Sequence, residues 1–397
     1  MNPMERALLA IQHKEPDRVP LFELSIAPRV SSKILGRIPI YSNEPLILDM
    51  RSRGIPRIEI ERKIVQDIID LFYKKLEHDV IHCISESGFG AALPGIYKGY
   101  GTSLALNSKA KVVKAGENMW QIDGCTFRYL PETNLLVDVA PVSNTSEEVE
   151  MYINDHWNDL GELSDEELYL EKQIVKELGD EALIAGYVGE LGAFHKWEIN
   201  HILKWVHTHP TLVEKFVNFD SRCMVKVAEA KIDMGVSVCI IDCDWAYDRG
   251  PFVSPALFRR IWMPALKRVV EAIHRRGAFA VCHADGNMNL LLEDMVNCGI
   301  DGIHSLQPSA GMDIGSVKRR YGDRISLWGN IDLAYPLTFG TVEETVKATV
   351  ECIRAASLGG GHILSTSNAV SQTTKYENYV AMMETAKKYG RYPISIS

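Results

Sequence analysis

The sequence lacks the features that mark several classes of protein. It has no apolar run of the roughly 18 residues that a membrane span needs, and no secretion signal precedes the helical pattern that starts near residue 6. Its eight cysteines are scattered without a Cys-x-x-Cys pair, which favours reduced thiols. The formal net charge of −9 argues against an electrostatic nucleic-acid partner. We therefore expect a cytoplasmic globular protein that binds neither membranes nor nucleic acids.

Eight short apolar runs are the main regular feature of the chain. They lie at residues 19–24, 79–84, 182–188, 237–242, 279–282, 302–306, 325–328 and 362–365. Amphipathic helical patterns separate most of them, for example at 58–76, 210–234, 255–276 and 341–358. Continuous apolar strands that alternate with helices are typical of parallel strands buried on both faces. The pattern therefore predicts an α/β fold, a (β/α)8 TIM barrel.

We expect residues 1–397 to form a single TIM-barrel domain with two insertions. Residues 92–142 hold short β-prone runs with Gly and Asn turns, which predict a small antiparallel β insertion after strand two. Residues 143–180 contain two charged helical patterns, which predict a helical insertion.

Polar residues end most of the apolar runs. The active site of a TIM barrel lies at the carboxyl ends of its strands, so these side chains should converge. They are Glu23, Glu86, Tyr187, Glu190, Asp242, Asp244, His283, Asp285, His304, Gln307, Asn330, Asp332, Ser365 and Asn368. Buried acids are costly unless they are paired or metal-bound, so this set suits a cation, a proton transfer or both. Any one acid could instead only cap a helix or bind loop amides.

The segment 281–287, with the sequence VCHADGN, is the most informative stretch. His283 and Asp285 are two residues apart, so on an extended backbone they point the same way. Such a pair can bind a metal or act as an acid/base dyad. The alternative is a buried histidine whose hydrogen bond is satisfied by the neighbouring carboxylate.

With these residues, several short motifs resemble the uroporphyrinogen decarboxylase-like superfamily and, within it, the corrinoid-dependent methyltransferase branch. The motifs are at residues 5–8, 17–20, 254–255, 264–267, 283–287, 329–332, 359–365 with Asn368, and 377–378. Their order and spacing cover nearly the whole chain. The resemblance implies a TIM barrel, in agreement with the strand count.

Two groups within that superfamily match less well. Decarboxylases carry an arginine-rich N-terminal motif for the substrate's carboxylates, whereas residues 21–25 (LFELS) have an acid and no arginine. An acidic mouth would repel a polyanionic porphyrinogen. Coenzyme M methyltransferases hold zinc through His-x-Cys and a distant Cys. This chain keeps His283, but Asp285 stands where the first thiolate would be, and residues 365–368 contain no cysteine.

An aspartate at this position is similar to what is seen in the aromatic O-demethylase members of the branch, which pass a methyl group from a methyl ether to a Co(I) corrinoid (cobamide) on a partner protein. This resemblance implies a methyltransferase that works with a corrinoid-binding protein and a methoxylated aromatic substrate. The residues expected to be catalytic are His283, Asp285, Glu190 and Asp242. Zinc would be held by His283, Asp285 and Asp244; otherwise a protonated His283 would serve. A methylcorrinoid:thiol methyltransferase, a porphyrinogen decarboxylase and a non-catalytic binding scaffold stay open as alternatives.

Other residues near the strand ends are candidates for substrate contacts. They are Glu23, Tyr187, Trp245, Tyr247, His304, Asn330 and Asn368, with Phe22 and Phe194 as further aromatics. Aromatic pairs gain about 0.5–1.5 kcal/mol beyond burial, enough to orient a methoxyaryl ring. Cys243 and Cys282 alternate with mouth-facing residues, so we expect both to face the helices. Exposed apolar helix faces would suit a homodimer.

Overall fold

The computed structural model of the protein describes residues 1–83, 111–139, 145–192 and 199–395. Within these ranges the α-helices are α1 (Pro3–Ile11), α2 (Pro28–Leu35), α3 (Glu44–Ser52), α4 (Arg57–Ile68), α5 (Ser146–His156), α6 (Tyr169–Leu178), α7 (Ile199–Thr208), α8 (Pro210–Asp233), α9 (Pro255–Arg275), α10 (Leu292–Asn297), α11 (Ile314–Tyr321), α12 (Val342–Ala356) and α13 (Tyr376–Tyr389). Asn2, Thr145 and Thr341 each form a capping box with a glutamate three residues later. The local sequence thus sets where these helices begin.

A parallel sheet of seven strands forms the centre of the described structure. In spatial order the strands are β1 (Val80–Cys83), β6 (Leu183–Glu190), β7 (Val238–Asp242), β10 (Phe279–Ala284), β11 (Gly302–Ser305), β12 (Ser326–Trp328) and β13 (His362–Ile363). Nearly all of their residues are buried, because helices cover the outer face of the sheet. Seven of the eight predicted strands are confirmed, and the helical patterns named above correspond to α4, α8, α9 and α12.

The remaining predicted strand, at residues 19–24, joins the two edge strands without forming a regular ladder. The carbonyl of Leu21 accepts a hydrogen bond of 2.9 Å from the N–H of Asp79, on the β1 side. On the β13 side, the N–H of Leu364 donates to the carbonyl of Pro20 at 2.9 Å, and Leu21 and Leu364 form a parallel bridge. Proline has no N–H to add to a ladder, which interrupts the strand here. The sheet is therefore curled, in a TIM-barrel-like fold.

The curled sheet separates two apolar layers. The outer layer packs the strands against the helices and contains Cys243 and Cys282, which confirms that both thiols face away from the mouth. The inner layer fills the space within the sheet. Its members are Ala7, Ala10, Ile11, Phe22, Val80, Leu183, Ala185, Val238, Ile240, Val281, Trp328 and Ile363. Among the described residues, the space within the sheet is thus filled below the carboxyl ends of the strands, which leaves those ends as the place for a site.

A small antiparallel sheet lies between β1 and β6 in the chain, as predicted. Its strands are β2 (Val112–Gly116), β3 (Met119–Ile122), β4 (Cys125–Leu130) and β5 (Leu135–Asp138), paired in that order. Trp120 is fully buried there, and its Nε1–H donates to Asp49 on α3 at 3.1 Å. Helices α5 and α6 follow the sheet. The division of the chain into a barrel with two insertions stays a prediction.

In the part of the chain that the structure describes, no helix combines the length and the apolar character that crossing a membrane requires.

Candidate active site

Four neighbouring strands bring polar residues to the same level of the sheet. Glu190 on β6 is in register with Asp242 on β7, and Asp242 is in register with His283 on β10. His283 is in turn in register with His304 on β11. Since parallel strands lie about 4.8 Å apart, these four side chains form a continuous arc at the carboxyl end of the sheet. The convergence that the strand ends predicted is therefore present for this group.

A β-bulge in β6 aims two residues at this arc. Tyr187 is in register with Ile240, but Gly189 is in register with Ile241, so Val188 is an extra residue. The bulge places both Tyr187 and Glu190 on the side of Asp242, and the Tyr187 hydroxyl donates to Asp242 Oδ2 at 3.4 Å. Gly189 has φ +127°, a conformation that favours glycine.

Asp242, Asp244 and His283 form the centre of the arc. One ligand atom from each lies within 4.8 Å of the other two, a spacing that could hold a metal ion. His283 Nε2 is 3.9 Å from Asp244 Oδ1 and 3.8 Å from Asp285 Oδ1. This group of three residues therefore contains the predicted zinc ligands His283 and Asp244, with Asp242 in place of the predicted ligand Asp285.

Asp285 is held by hydrogen bonds from other elements. Its backbone N–H donates to Asp244 Oδ1 at 2.8 Å, and the side-chain amide of Asn368 donates to its Oδ2. Ser305 Oγ lies 2.7 Å from Asp285 Oδ1 and 2.5 Å from the carbonyl of Ser367. A hydroxyl has one proton, so both Ser305 contacts are hydrogen bonds only when Asp285 is protonated. The geometry therefore favours a neutral Asp285.

The electrostatics of the arc agree with this geometry. Burial raises the pKa of Asp242 well above its usual range, and the neighbouring Asp244 and Glu190 raise it further. Burial likewise raises the pKa of Asp285 to about 6, against the opposing effect of His283. Burial would lower the pKa of His283, but the attraction of Asp285, Asp244 and Asp242 outweighs it, and the pKa is raised. The acids therefore retain protons that isolated carboxyl groups would have released, and a bound cation would relieve their mutual repulsion.

His304 lies beside His283 on the neighbouring strand and is fully buried. The Nδ1 atoms of the two rings are 2.8 Å apart. The ring of Phe22 meets His304 edge-on, with 5.4 Å between centroids. Burial, and then the neighbouring His283 and His82, lower the pKa of His304 well below its usual value. Both His304 and Phe22, which the sequence nominated for substrate contacts, are thus within the interior.

Glu23 is also fully buried, behind the loop that carries Asn368. Thr366 Oγ1 makes short contacts with Glu23 Oε1 and with the carbonyl of Asn368. Burial raises the pKa of Glu23 to about 8, so this acid is largely neutral at pH 7. Glu23 therefore reaches Asp285 only indirectly, through Thr366 and Asn368.

The two aromatics after β7 have different surroundings. Trp245 is buried, donates from Nε1 to the carbonyl of Leu191 at 3.0 Å, and packs against Phe258. Tyr247 is 50% exposed and stacks on Phe252 in the hairpin of β8 (Ala246–Tyr247) and β9 (Gly250–Pro251). Tyr247 is therefore the aromatic of this pair that an external molecule can reach.

The remaining predicted residues support loops at the carboxyl ends of the strands. Asn330 donates to the carbonyl of Leu306 at 2.7 Å, and Asp332 accepts backbone N–H groups from Ser309, Ala334 and Tyr335. Gln307 accepts from the N–H of Gly286 at 3.0 Å, and the Ser365 hydroxyl donates to the carbonyl of Thr366. Asp332 thus binds loop amides, which was the alternative role stated for any single acid of the predicted set. Glu86 and Phe194 lie outside the described residues.

Ser305 and Thr366 also contact the site residues, and neither was predicted from the sequence. Ser305 follows His304 at the end of β11, where the chain turns with φ +88° at Ser305 and +49° at Leu306. Positive φ at such residues is uncommon and often marks a functional turn. A serine directly after a polar strand end is a weak sequence signal, and only the turn brings its hydroxyl to Asp285.

A family model and several relatives match this chain. The family model described as uroporphyrinogen decarboxylase (URO-D) matches residues 182–389, slightly more than half of the chain. Methylcobamide:CoM methyltransferase MtaA of Methanosarcina barkeri is 26% identical over 191 residues, which cover 48% of this chain and 53% of that protein. Uroporphyrinogen decarboxylase of Trichodesmium erythraeum is 28% identical over 224 residues, covering 54% and 60% respectively. The chain thus matches about half the length of the first of these relatives.

A solved structure has the same fold. The structure titled "methyltransferase from Methanosarcina mazei" superposes with a TM-score of 0.68, and the match covers 98% of this chain and 99% of that one. The sequence identity is 17%, so this likeness bears on the fold alone. It supports the TIM-barrel-like architecture described above.

Proposed function

This chain belongs to the uroporphyrinogen decarboxylase family, and on that premise we propose that it transfers a methyl group from an O-methyl donor, a methoxylated aromatic compound, to the Co(I) corrinoid of a partner protein. The observation that carries the proposal is the ligand chemistry of the arc: His283 stands with carboxylates at the carboxyl ends of the strands. Oxygen and nitrogen ligands suit the polarisation of an ether oxygen, whereas soft sulfur ligands suit the activation of a thiol.

The arc fits a divalent cation such as zinc. Asp242, Asp244 and His283 offer three ligand atoms within 4.8 Å, two of them carboxylate oxygens. Three protein ligands leave a position for substrate, as in catalytic zinc sites. When bound there, zinc would act as a Lewis acid on the ether oxygen and make it a better leaving group.

The protein's own residues have two further tasks in the proposed reaction. The carbon–oxygen bond of the methyl ether breaks, the methyl group passes to the corrinoid, and the ether oxygen must gain a proton to leave as a phenol. Asp285 suits this task, because its pKa of about 6 lets it supply a proton near neutral pH and the Ser305 and Asn368 contacts fix its carboxyl group. Tyr247, exposed beside this loop, is the proposed contact for the aromatic ring.

The relatives' names raise two other activities. A thiol methyltransferase would require a reactive cysteine ligand, but Cys243 and Cys282 lie in the outer apolar layer and burial raises the pKa of the Cys243 thiol. A porphyrinogen decarboxylase would need cations for the substrate's carboxylates. The segment that should supply them contains Leu21, Phe22 and Glu23, all fully buried. Neither alternative is favoured by these residues.

The experiment is incubation of the protein with a Co(I) corrinoid and separate panels of methoxybenzenes, methylamines and methyl thiols. The proposal expects the methylcobamide absorbance with methoxybenzenes alone. Asp285→Asn should lower the rate at least tenfold, since it removes the proton donor but keeps the shape. Asp301→Asn, a change to an acid on the outer side that binds His274, is the matched control and should retain the rate. Turnover only with methyl thiols would contradict the proposal.

A further inference from the structure

The contact between His283 and His304 requires a definite arrangement of protons. Their Nδ1 atoms are 2.8 Å apart, and His283 and His304 are only 5% and 0% exposed. A hydrogen bond between two imidazole nitrogens needs one N–H and one lone pair. Either His283 or His304 can be the donor, and in a neutral His283 ring the choice decides whether Nε2, which faces the acids, carries a proton or a lone pair.

The surroundings of His304 favour its role as acceptor. Nε2 of His283 faces the acids, 3.9 Å from Asp244 Oδ1 and 3.8 Å from Asp285 Oδ1. When that nitrogen binds a cation, the neutral His283 ring carries its proton on Nδ1, so Nδ1 of His304 must be the acceptor. Burial lowers the pKa of His304 well below its usual value, so the His304 ring is neutral and has one N–H. With its proton on Nε2, His304 offers a lone pair at Nδ1.

We propose that His304 is a positioning residue: it accepts a hydrogen bond from Nδ1–H of His283 and so holds Nε2 of His283 toward Asp244 and Asp285, with the Nε2 lone pair available to a metal ion. The inference rests on the proposed function insofar as that lone pair would bind a metal. Histidines that bind metals commonly donate their other N–H to a fixed acceptor, which sets tautomer and ring orientation. Because the His304 ring is neutral, it can accept this hydrogen bond without adding a positive charge that would offset the negative charge of the acids.

His82 provides a matched comparison within the same interior. It is 3% exposed, and its Nδ1 is 2.9 Å from the carbonyl of Leu24, so Nδ1 carries the proton. Its ring is 6.2 Å from that of Phe22, which also contacts His304. No hydrogen bond joins His82 to His283 in the described structure. A change at His82 therefore disturbs the same core without removing the proposed acceptor.

The first test is the proton arrangement in the metal-free protein. ¹⁵N NMR of histidine-labelled protein, assigned with single substitutions, distinguishes Nδ1–H from Nε2–H rings. We expect a proton on Nδ1 of His283, and a proton on Nε2 but none on Nδ1 of His304. In His304→Leu the Nδ1 signal of His283 should change, whereas His82→Leu should leave it in place. A His283 ring without a proton on Nδ1 in the unmodified protein would refute the inference, and this result does not depend on the enzymatic activity.

The second test is Zn²⁺ affinity, measured by competition with a chromophoric chelator. Loss of such a supporting contact typically weakens metal binding 10–100-fold, and we expect this for His304→Leu. In His304→Asn the amide oxygen takes the place of Nδ1 as acceptor, so affinity should recover to within a few-fold. His82→Leu should bind Zn²⁺ as the unmodified protein does. Circular dichroism checks that each variant is folded.

These tests separate the inference from the proposed function. Equal Zn²⁺ affinity in His304→Leu and the unmodified protein would overturn the positioning role. If instead the NMR and Zn²⁺ results agree with expectation while no methoxybenzene is demethylated, the proposed reaction fails and the role of His304 stands.

Discussion

At the scale of single residues, two buried titratable groups give stability opposite dependences on pH. Burial raises the pKa of Glu23 to about 8 and lowers that of His78 to about 3. Both are fully buried in the native state and regain ordinary pKa values on unfolding. Each is neutral in the native protein at pH 7, and ionisation on either side of neutrality favours the unfolded chain.

Replacing Glu23 with Gln should flatten the alkaline side of the stability profile. Because the native pKa is raised, the contribution of Glu23 is fully present below about pH 4.5 and is lost as the pH rises toward 8. The expected loss is about 1.4 kcal/mol per pH unit in this window. Urea unfolding between pH 5 and pH 8 should show that slope reduced in Glu23→Gln. An unchanged slope would mean that Glu23 is ionised in the native protein.

Replacing His78 with Leu should make the free energy of unfolding depend less on pH on the acid side of neutrality. Neither ring nitrogen of His78 has a hydrogen-bond partner among the described residues, and the ring packs against Phe72 at 5.4 Å. Because the native pKa is lowered, stability is present above about pH 6.5 and is lost as the pH falls. Between pH 7 and pH 5 the loss should be about 2 kcal/mol. Urea unfolding of His78→Leu should show no such loss of stability between pH 7 and pH 5. The control variant Glu23→Gln should still show this loss.

At the scale of elements, the bulge in β6 is the feature on which the arc most depends. It turns Glu190 and Tyr187 toward Asp242, and it needs Gly189 at φ +127°. A Cβ at position 189 would lie 3.2 Å from Met224 Cγ, so the neighbouring side chain would also have to shift.

Gly189→Ala should therefore cost about 1–3 kcal/mol of stability and also lower methyl transfer, because the bulge would relax. Gly277→Ala is the control: Gly277 has φ +78°, but nothing lies within 4 Å of its Cβ position. It should lose stability by backbone strain alone and keep its activity. Thermal unfolding and the demethylation assay measure the two effects. Equal activity of both variants would show that the bulge does not position the site.

The elements could be predicted because their signals are local. The apolar runs that became β6, β7, β10 and β11 are continuous, and the residues that end them lie in register. The bulge at Val188 could not be predicted, since it is an extra residue in an otherwise regular apolar run. The interruption of the first strand could have been read from Pro20, whose missing N–H is a property of the sequence.

At the scale of the whole molecule, Asp79 stabilises the junction of the curled sheet. It accepts hydrogen bonds from Arg6 at 2.5 Å, from Arg18 at 2.7 Å and from the N–H of Leu21 at 2.8 Å. Asp79 is fully buried and pairs with both arginines. The junction is thus fixed by charge as well as by the backbone hydrogen bonds of Leu21.

Asp79→Asn should destabilise the protein by about 3–5 kcal/mol, because it removes the carboxylate that pairs with Arg18 and the buried one of the two that pair with Arg6. Asp17→Asn also removes a partner of Arg6, but Asp17 is 45% exposed, and its loss should cost at most about 1 kcal/mol. Urea unfolding at pH 7 compares the two. A similar cost for both variants would show that burial of Asp79 adds nothing to the junction.

Much of the candidate site could be predicted from strand ends alone, and the rest could not, for physical reasons. Asp242, Asp244 and His283 end their strands, so a barrel must bring them together. The fixing of Asp285 by Ser305 and Asn368 joins three separate loops, and no local pattern encodes such contacts. Glu23 and Trp245 also end or follow strands, yet both are buried below the surface of the site. A single sequence does not reveal how deeply such a side chain is buried.

The junction at Leu21 has a consequence for biosynthesis. Its two hydrogen-bonding neighbours are Asp79, made soon after it, and Leu364, which lies much later in the chain. Until β13 and Leu364 have left the ribosome, the nascent sheet keeps unpaired backbone along one margin, open to association with other chains. Newly made molecules should therefore depend on chaperones until β13 has been made, and chains truncated before β13 should accumulate as aggregates.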